Sequence, residues 1–292
     1  MSQSKNKLII SIDGGGIRGV LPLLILEHIE NMLKQRNLIT DLNSKIDLVA
    51  GTSTGVIISA GLVARRNEQP IFSVANLLRT YRIKGPKLFN HSLDSKKNSW
   101  QLGKLLRAKF EKLKISDLGS KFFFISFDLK ENRPFFFSQN NREIDDLSLE
   151  IALQACSSIP GLFSPVLVGN HQLIDGFIFA KNPTKLAYQY AQENLDSQGL
   201  TILSFGTGRL QGEMYDDIEK EGEEVHQKML HESQTNKKLN YFRFQPDILT
   251  ANPQMDAAEP KNILALIDDG RKYIRDNESL FERLIQEWED NC

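Results

Sequence analysis

Residues 11–19 read Ser11-Ile12-Asp13-Gly14-Gly15-Gly16-Ile17-Arg18-Gly19, and residues 51–55 read Gly51-Thr52-Ser53-Thr54-Gly55; an Asp175-Gly176 pair follows roughly 120 residues after the serine. A serine on a glycine-flanked turn, a loop of backbone N–H groups and a distant carboxylate are the parts of an acyl-transfer site. A serine hydroxyl is a poor nucleophile until a base takes its proton and the backbone presents Oγ to the substrate. Gly51 and Gly55 suit a tight strand-to-helix turn where side chains would crowd the backbone, and a helix starting near Thr54 would aim its N-terminal dipole at Ser53. The N–H groups of Gly14, Gly15 and Gly16 are placed to converge on a developing oxyanion, where loss of one donor typically costs ~10²–10³ in rate.

The same glycines admit a rival. Gly14-x-Gly16-x-x-Gly19 satisfies the dinucleotide fingerprint and also lies between a strand and a helix. A dinucleotide site, however, wants an acid at the end of the next strand, and here Val49-Ala50-Gly51 leads into Ser53. Arg18 either supports the loop and its oxyanion electrostatically or bridges a carboxylate.

Two assignments of the base stay open on the residues alone. A Ser-Asp-His order would pair Asp175 with His226 or His231, which lie in a polar, acidic stretch. Neither has a motif around it; His28 falls within an amphipathic pattern, and His171, four residues before Asp175, suits a hairpin turn. A carboxylate can instead act directly if burial raises its proton affinity. Asp175 with Gly176, on a tight turn after Leu173-Ile174, suits that role.

The elements that must position these residues alternate. Lys7 to Ile12 reads as a buried strand, Ile17 to Arg36 as a helix, Ile46 to Ala50 as a second strand and Val56 to Arg66 as a helix. This rhythm predicts an α/β fold, a single domain with a mostly parallel central sheet sandwiched by helices. Further on, the pattern predicts a break at Gly85-Pro86, a helix over Trp100–Phe110, and paired strands at Lys121–Asp128 and Pro134–Ser138. It then predicts a helix at Leu149–Ala155 and short strands at Gln172–Ile174 and Phe177–Phe179 flanking Asp175-Gly176. A helix over Pro183–Asn194 and a strand over Leu200–Phe205 follow. The tail reads as a polar loop from Gly212 to Asn240, a segment Tyr241–Gln245, and a helix from Ile263 to Trp288 interrupted near Gly270. The catalytic region is expected over 7–210, with 211–292 as a C-terminal extension packed on the same domain.

Bulk properties narrow the partners. Of 292 residues, 40 % are apolar and the net charge is −1, which argues against a nucleic-acid polymer. Only Cys156 and Cys292 are present, too few for a disulfide framework, and no metal-spaced Cys/His cluster occurs, so neither a metal nor an organic cofactor is expected. Met1 to Lys7 is polar with no signal-peptide-like apolar h-region behind it, which predicts a cytoplasmic protein, acting at a membrane surface if its substrate is a lipid. Charge is uneven: Arg79 to Lys114 holds eleven Lys or Arg against Asp94 and Glu111, a net of +9, while Glu213 to Glu224 holds seven acids and Lys220.

The ordered set Asp13-Gly14-Gly15-Gly16-Ile17-Arg18-Gly19, Gly51-Thr52-Ser53-Thr54-Gly55 and Asp175-Gly176 resembles the patatin-like phospholipase family. Further similarities are the stretch from Cys156 to Pro165, Asn182-Pro183, Leu203–Gly208 and Tyr241–Pro246, so the resemblance covers nearly the whole chain. It implies a Ser-Asp dyad without histidine, with Ser53 as nucleophile, Asp175 as base and Gly14, Gly15 and Gly16 as the oxyanion loop; Arg18, Gly51, Gly55 and Gly176 would support them. It also implies membrane phospholipids as substrate. One departure is Phe177, where the family usually has Gly or Ala, which predicts a narrowed acyl site. The family includes anti-phage effectors switched on by cyclic nucleotides, so a cyclic-nucleotide activator and a homo-oligomer are the partners to test. The basic stretch, with Phe89, Trp100 and Phe110 among its lysines, suits docking on anionic headgroups, each cation being worth roughly 1 kcal/mol near such a surface.

Overall fold

The computed structural model describes residues 6–88, 94–110, 112–210 and 217–291. Phe89, His91, Glu111, Cys292 and the first part of the acidic run, Glu213 to Asp216, lie outside them. Ten strands and nine α-helices are described. The strands are β1 (Lys7–Ile12), β2 (Leu48–Thr52), β3 (Arg65–Arg66), β4 (Gln69–Pro70), β5 (Lys121–Asp128), β6 (Arg133–Ser138), β7 (Val166–Val168), β8 (His171–Asp175), β9 (Leu200–Phe205) and β10 (Leu239–Phe244). The helices are α1 (Val20–Gln35), α2 (Thr54–Val63), α3 (Val74–Leu88), α4 (Ser95–Phe110), α5 (Leu149–Cys156), α6 (Thr184–Asn194), α7 (Asp217–Thr235), α8 (Pro260–Asp276) and α9 (Glu278–Asn291).

The main sheet runs β10-β9-β1-β2-β5-β8-β7, with β6 pairing β5 and a separate β3-β4 ribbon. From β10 to β5 all pairs are parallel, and β6, β7 and β8 join antiparallel. The expectation of a mostly parallel sheet between helices holds. Its central strands are buried on both faces, as parallel strands under helices must be. Alternation along β1 separates two cores: Leu8, Ile10 and Ile12 join the larger one, with Leu21, Leu77 and Leu266 of the helices, and Ile9 joins the smaller one, with Ala187, Val225 and Met229.

Four expectations change. Gly85-Pro86 does not break the chain but lies in the last turn of α3, where Gly85 is buried against Ile17 and tertiary packing outweighs the proline's missing donor. The residues after Asp175 form a single 3₁₀ turn, Gly176–Ile178, because Asp175 Oδ1 accepts the Phe177 N–H at 2.8 Å. Most of the polar loop expected from Gly212 is α7. Its inward face includes Glu219 and Gly222 as well as Val225 and Met229, so few apolar residues announce it. The C-terminal helix divides at Asn277, not at Gly270, which is buried in mid-helix α8 against Leu21 and Leu24 of α1.

Candidate active site

Ser53 follows β2 directly and leads into α2. Its backbone adopts φ 54° and ψ −125°, a left-handed conformation that a non-glycine residue holds only under constraint. The constraint is close packing: a Cβ on Gly55 would lie 2.2 Å from the Ile12 carbonyl oxygen, so only glycine lets α2 approach β1 this closely. Gly51 faces the same turn, against the backbone of Gly55. The turn presents the hydroxyl to a carboxylate. Ser53 Oγ donates to Asp175 Oδ2 at 2.6 Å, and both residues are buried, at 2 % and 0 % exposure.

Asp175 ends β8. Its backbone N–H donates to Ser158 O at 3.1 Å, while Gly176 backs onto the Ile125 carbonyl. Burial pushes its carboxyl up to about 7, against the lowering effect of the hydrogen bonds from Ser53 and the Phe177 amide. A carboxylate poised there can take a proton near neutrality. The buried Cys156 thiol is pushed up by burial and by the charge of Asp175, so it behaves as packing.

No described histidine hydrogen-bonds to either residue. His28 packs edge-on to Phe281, His226 Nδ1 contacts the Tyr241 hydroxyl at 3.0 Å, and His171 Nδ1 lies 2.6 Å from Asp128 Oδ2. Among the described residues no three His, Cys, Asp or Glu side chains come together to hold a metal ion.

The glycine loop leaves β1 and turns at Gly16, whose φ of 58° and proximity to the Met255 carbonyl both demand glycine. Gly14 departs from the expected role. Its N–H donates to the Lys181 carbonyl at 3.0 Å and its carbonyl accepts from Thr207 Oγ1 at 2.6 Å, so that donor is committed to the fold. The N–H groups of Gly15 and Gly16 make no hydrogen bond among the described residues. The Phe177 ring lies against Gly14, at a position where a Gly14 side chain would also meet the Ser53 Cβ.

Arg18 is fully buried, with Nη2 3.5 Å from Glu219 Oε1, the carboxylate-bridging alternative. Two further residues were not singled out by the sequence for this site. Arg243 of β10 forms a buried ion pair with Asp13 and also donates to Ser204 Oγ at 2.8 Å. Tyr81 of α3 hydrogen-bonds to the Thr54 side chain and carbonyl.

From Ser53 a narrow cleft runs between α2, α3 and α4. Its walls are predominantly apolar, with Ile57, Phe72, Leu77, Leu102, Leu105 and Phe110 among them, and Lys84 and Lys109 join the lining. The basic stretch therefore belongs to the helices that wall the cleft. Its described cations are exposed, including Lys84 of the cleft lining, except the half-buried Lys109. No helix among the described residues is long and apolar enough to cross a membrane.

Residues 10–188 match the family model described as patatin-like phospholipase. The chain is 28 % identical to "Probable inactive patatin-3-Kuras 1" of Solanum tuberosum, over 68 % of this chain and 62 % of that protein. It is 25 % identical to Patatin-17 of Solanum cardiophyllum, over 95 % of this chain and 87 % of that one. The chain thus spans less than two thirds of the length of the first relative. Among solved structures, VipD from Legionella pneumophila aligns with a TM-score of 0.48 at 13 % identity, over 91 % of this chain and 67 % of that one. Human GIVD cytosolic phospholipase A2 aligns at 0.46 and 12 % identity, over 97 % and 60 %. The family model takes in the glycine loop, the serine elbow and the Asp175 turn together, more than half of the sequence, and the chain belongs to the patatin-like phospholipase family.

Proposed function

We propose that this chain is a serine lipid acyl hydrolase that releases fatty acids from membrane glycerophospholipids, with Ser53 as nucleophile and Asp175 as base. The observation that carries the proposal is the 2.6 Å hydrogen bond from Ser53 Oγ to Asp175 Oδ2 at the head of an apolar cleft. A fatty-acyl chain suits the cleft and an anionic headgroup suits its cationic rim. Asp175 accepts the Ser53 proton as Oγ attacks the ester carbonyl, and the Gly15 and Gly16 amides stabilise the tetrahedral oxyanion. The intermediate collapses, Asp175 passes the proton to the leaving alcohol, and an acyl-enzyme remains. Asp175 then takes a proton from water, the hydroxide equivalent attacks the acyl carbonyl, and Ser53 recovers its proton as the fatty acid leaves.

The test is fatty-acid release from phospholipid vesicles by wild type and Ser53→Ala. Release that depends on Ser53 supports the proposal, and release that survives the substitution removes it. Cyclic nucleotides added to the same assay test the regulatory part of the proposal, an anionic activator of the kind used by anti-phage members of the family. Equal release with and without them removes that part. The alternative, a dinucleotide-binding protein without catalysis, predicts no release and binding of a dinucleotide that Ser53→Ala leaves intact.

A further inference from the structure

A carboxylate from outside the family-matched segment lies behind the glycine loop. Glu219, in the first turn of α7, is 7 % exposed. Its Oε1 is 3.5 Å from Arg18 Nη2 and its Oε2 is ion-paired with Lys181 Nζ. Both cations are buried, at 0 % and 1 % exposure. Arg18 stands two residues after Gly16, and the backbone carbonyl of Lys181 holds the Gly14 N–H. The same turn of α7 grips this segment twice more: the Lys181 N–H donates to Glu221 Oε2 at 3.2 Å, and Asn182 Nδ2 donates to Gly222 O at 3.2 Å.

We infer that Glu219 is a positioning residue for the oxyanion loop, one carboxylate fixing the two buried cations, Arg18 and Lys181, that anchor the loop on either side of its donors. The inference rests on Gly15 and Gly16 serving as oxyanion donors. Two buried cations side by side repel each other and pay desolvation, and a shared carboxylate offsets both terms. Burial and Arg18 disfavour the Lys181 ammonium, and Glu219 and Asp13 oppose them. Without the carboxylate, Lys181 must shift or lose its proton, and its carbonyl carries the displacement to Gly14 and so to the next two amides. The oxyanion exists only along the reaction path, so the loss falls on kcat.

The experiment uses the full chain and a soluble short-chain p-nitrophenyl ester, which removes membrane docking from the measurement. Catalytic sites are counted by the extent of covalent labelling with a fluorophosphonate. Glu219→Gln is expected to lower kcat per labelled site by ~10–100-fold with KM within about twofold. Glu219→Gln combined with Lys181→Met removes the ammonium that Glu219 pairs with and is expected to recover part of the loss, and Glu219→Asp is expected to retain more activity than Glu219→Gln. An unchanged kcat per labelled site in Glu219→Gln overturns the inference, including the case where fewer sites label but each works normally, since that is the signature of a residue needed only for folding. Failure of the catalytic proposal would look different: wild-type turnover would be absent or would persist in Ser53→Ala.

Discussion

Ser53 meets Asp175 because β2 and β8 run toward each other along one edge of β5. Parallel β2 ends with Thr52 opposite Ile125, and antiparallel β8 ends with Asp175 opposite the next residue, Ser126. The other edge of β5 is taken by β6 along the same stretch. Two strand ends abutting at neighbouring positions of a third strand bring residues far apart in sequence within hydrogen-bond reach, and rigid strands hold them there.

The paired residues should separate activity from stability. Ser53→Ala and Asp175→Asn are each expected to reduce ester hydrolysis by at least ~10³-fold. Asp175→Asn should also raise Tm above neutral pH. In the folded state the Asp175 carboxyl is raised to about 7, so its contribution to stability is fully present below the unfolded value and is lost as pH rises through 7. The asparagine pays no such penalty. A Tm gain of about 2–4 °C at pH 8 that shrinks toward pH 5 is expected in thermal melts. A gain independent of pH would refute this origin.

On the proposed mechanism the same raised carboxyl should set the pH dependence of turnover. Only ionised Asp175 can accept the Ser53 proton, so kcat/KM should climb with pH and reach half its plateau near 7. A profile flat from pH 5 to 8 would exclude Asp175 as a base titrating in that range.

Leu105 is half-buried and lines the cleft from α4, so enlarging it should shorten the space for an acyl chain with modest disturbance of the core. Leu105→Trp is expected to lower hydrolysis of a long-chain ester by about tenfold or more while a short-chain ester stays within about threefold of wild type. Parallel losses on both esters would mean that the cleft does not hold the acyl chain.

A second titratable pair steadies the strand that carries Asp175. The Asp128 hydrogen bond raises the His171 imidazole against the effect of burial, with a further contribution from Glu143 at 3.1 Å. Burial alone would raise Asp128, but hydrogen bonds from His171 and from the Lys130 and Gln172 amides outweigh it and leave the carboxyl low. The His171 contribution is present below its unfolded value and fades as pH rises through the folded one. The Asp128 contribution is present above its unfolded value and fades as pH falls through the folded one. Stability from the pair should therefore be greatest between roughly pH 4 and 6.5, the unperturbed carboxylate and imidazole values. His171→Gln is expected to lower Tm by about 2–4 °C at pH 6 and to flatten the decline toward pH 8. An unchanged melting profile would mean the pair contributes nothing.

The sequence by itself determined the local pieces. Glycines at fixed offsets around Ser53 and after Asp13, and the Asp175-Gly176 turn, are legible because a tight turn or a close backbone approach restricts residue type at single positions. Apolar periodicity likewise placed most of the helices and the buried strands, because a repeat of 2 or 3.6 residues registers which face meets the core. Only the tertiary structure decided which distant pieces meet. It set the abutting ends of β2 and β8, committed the Gly14 amide to Lys181, brought Arg243 to Asp13, and put Glu219 between Arg18 and Lys181. The basic stretch was visible as charge, but its place as the wall of the cleft was not. α7 has no clear apolar periodicity because its inward face is partly polar, and a buried carboxylate is stabilised by partners far away in the chain, which no local pattern reveals.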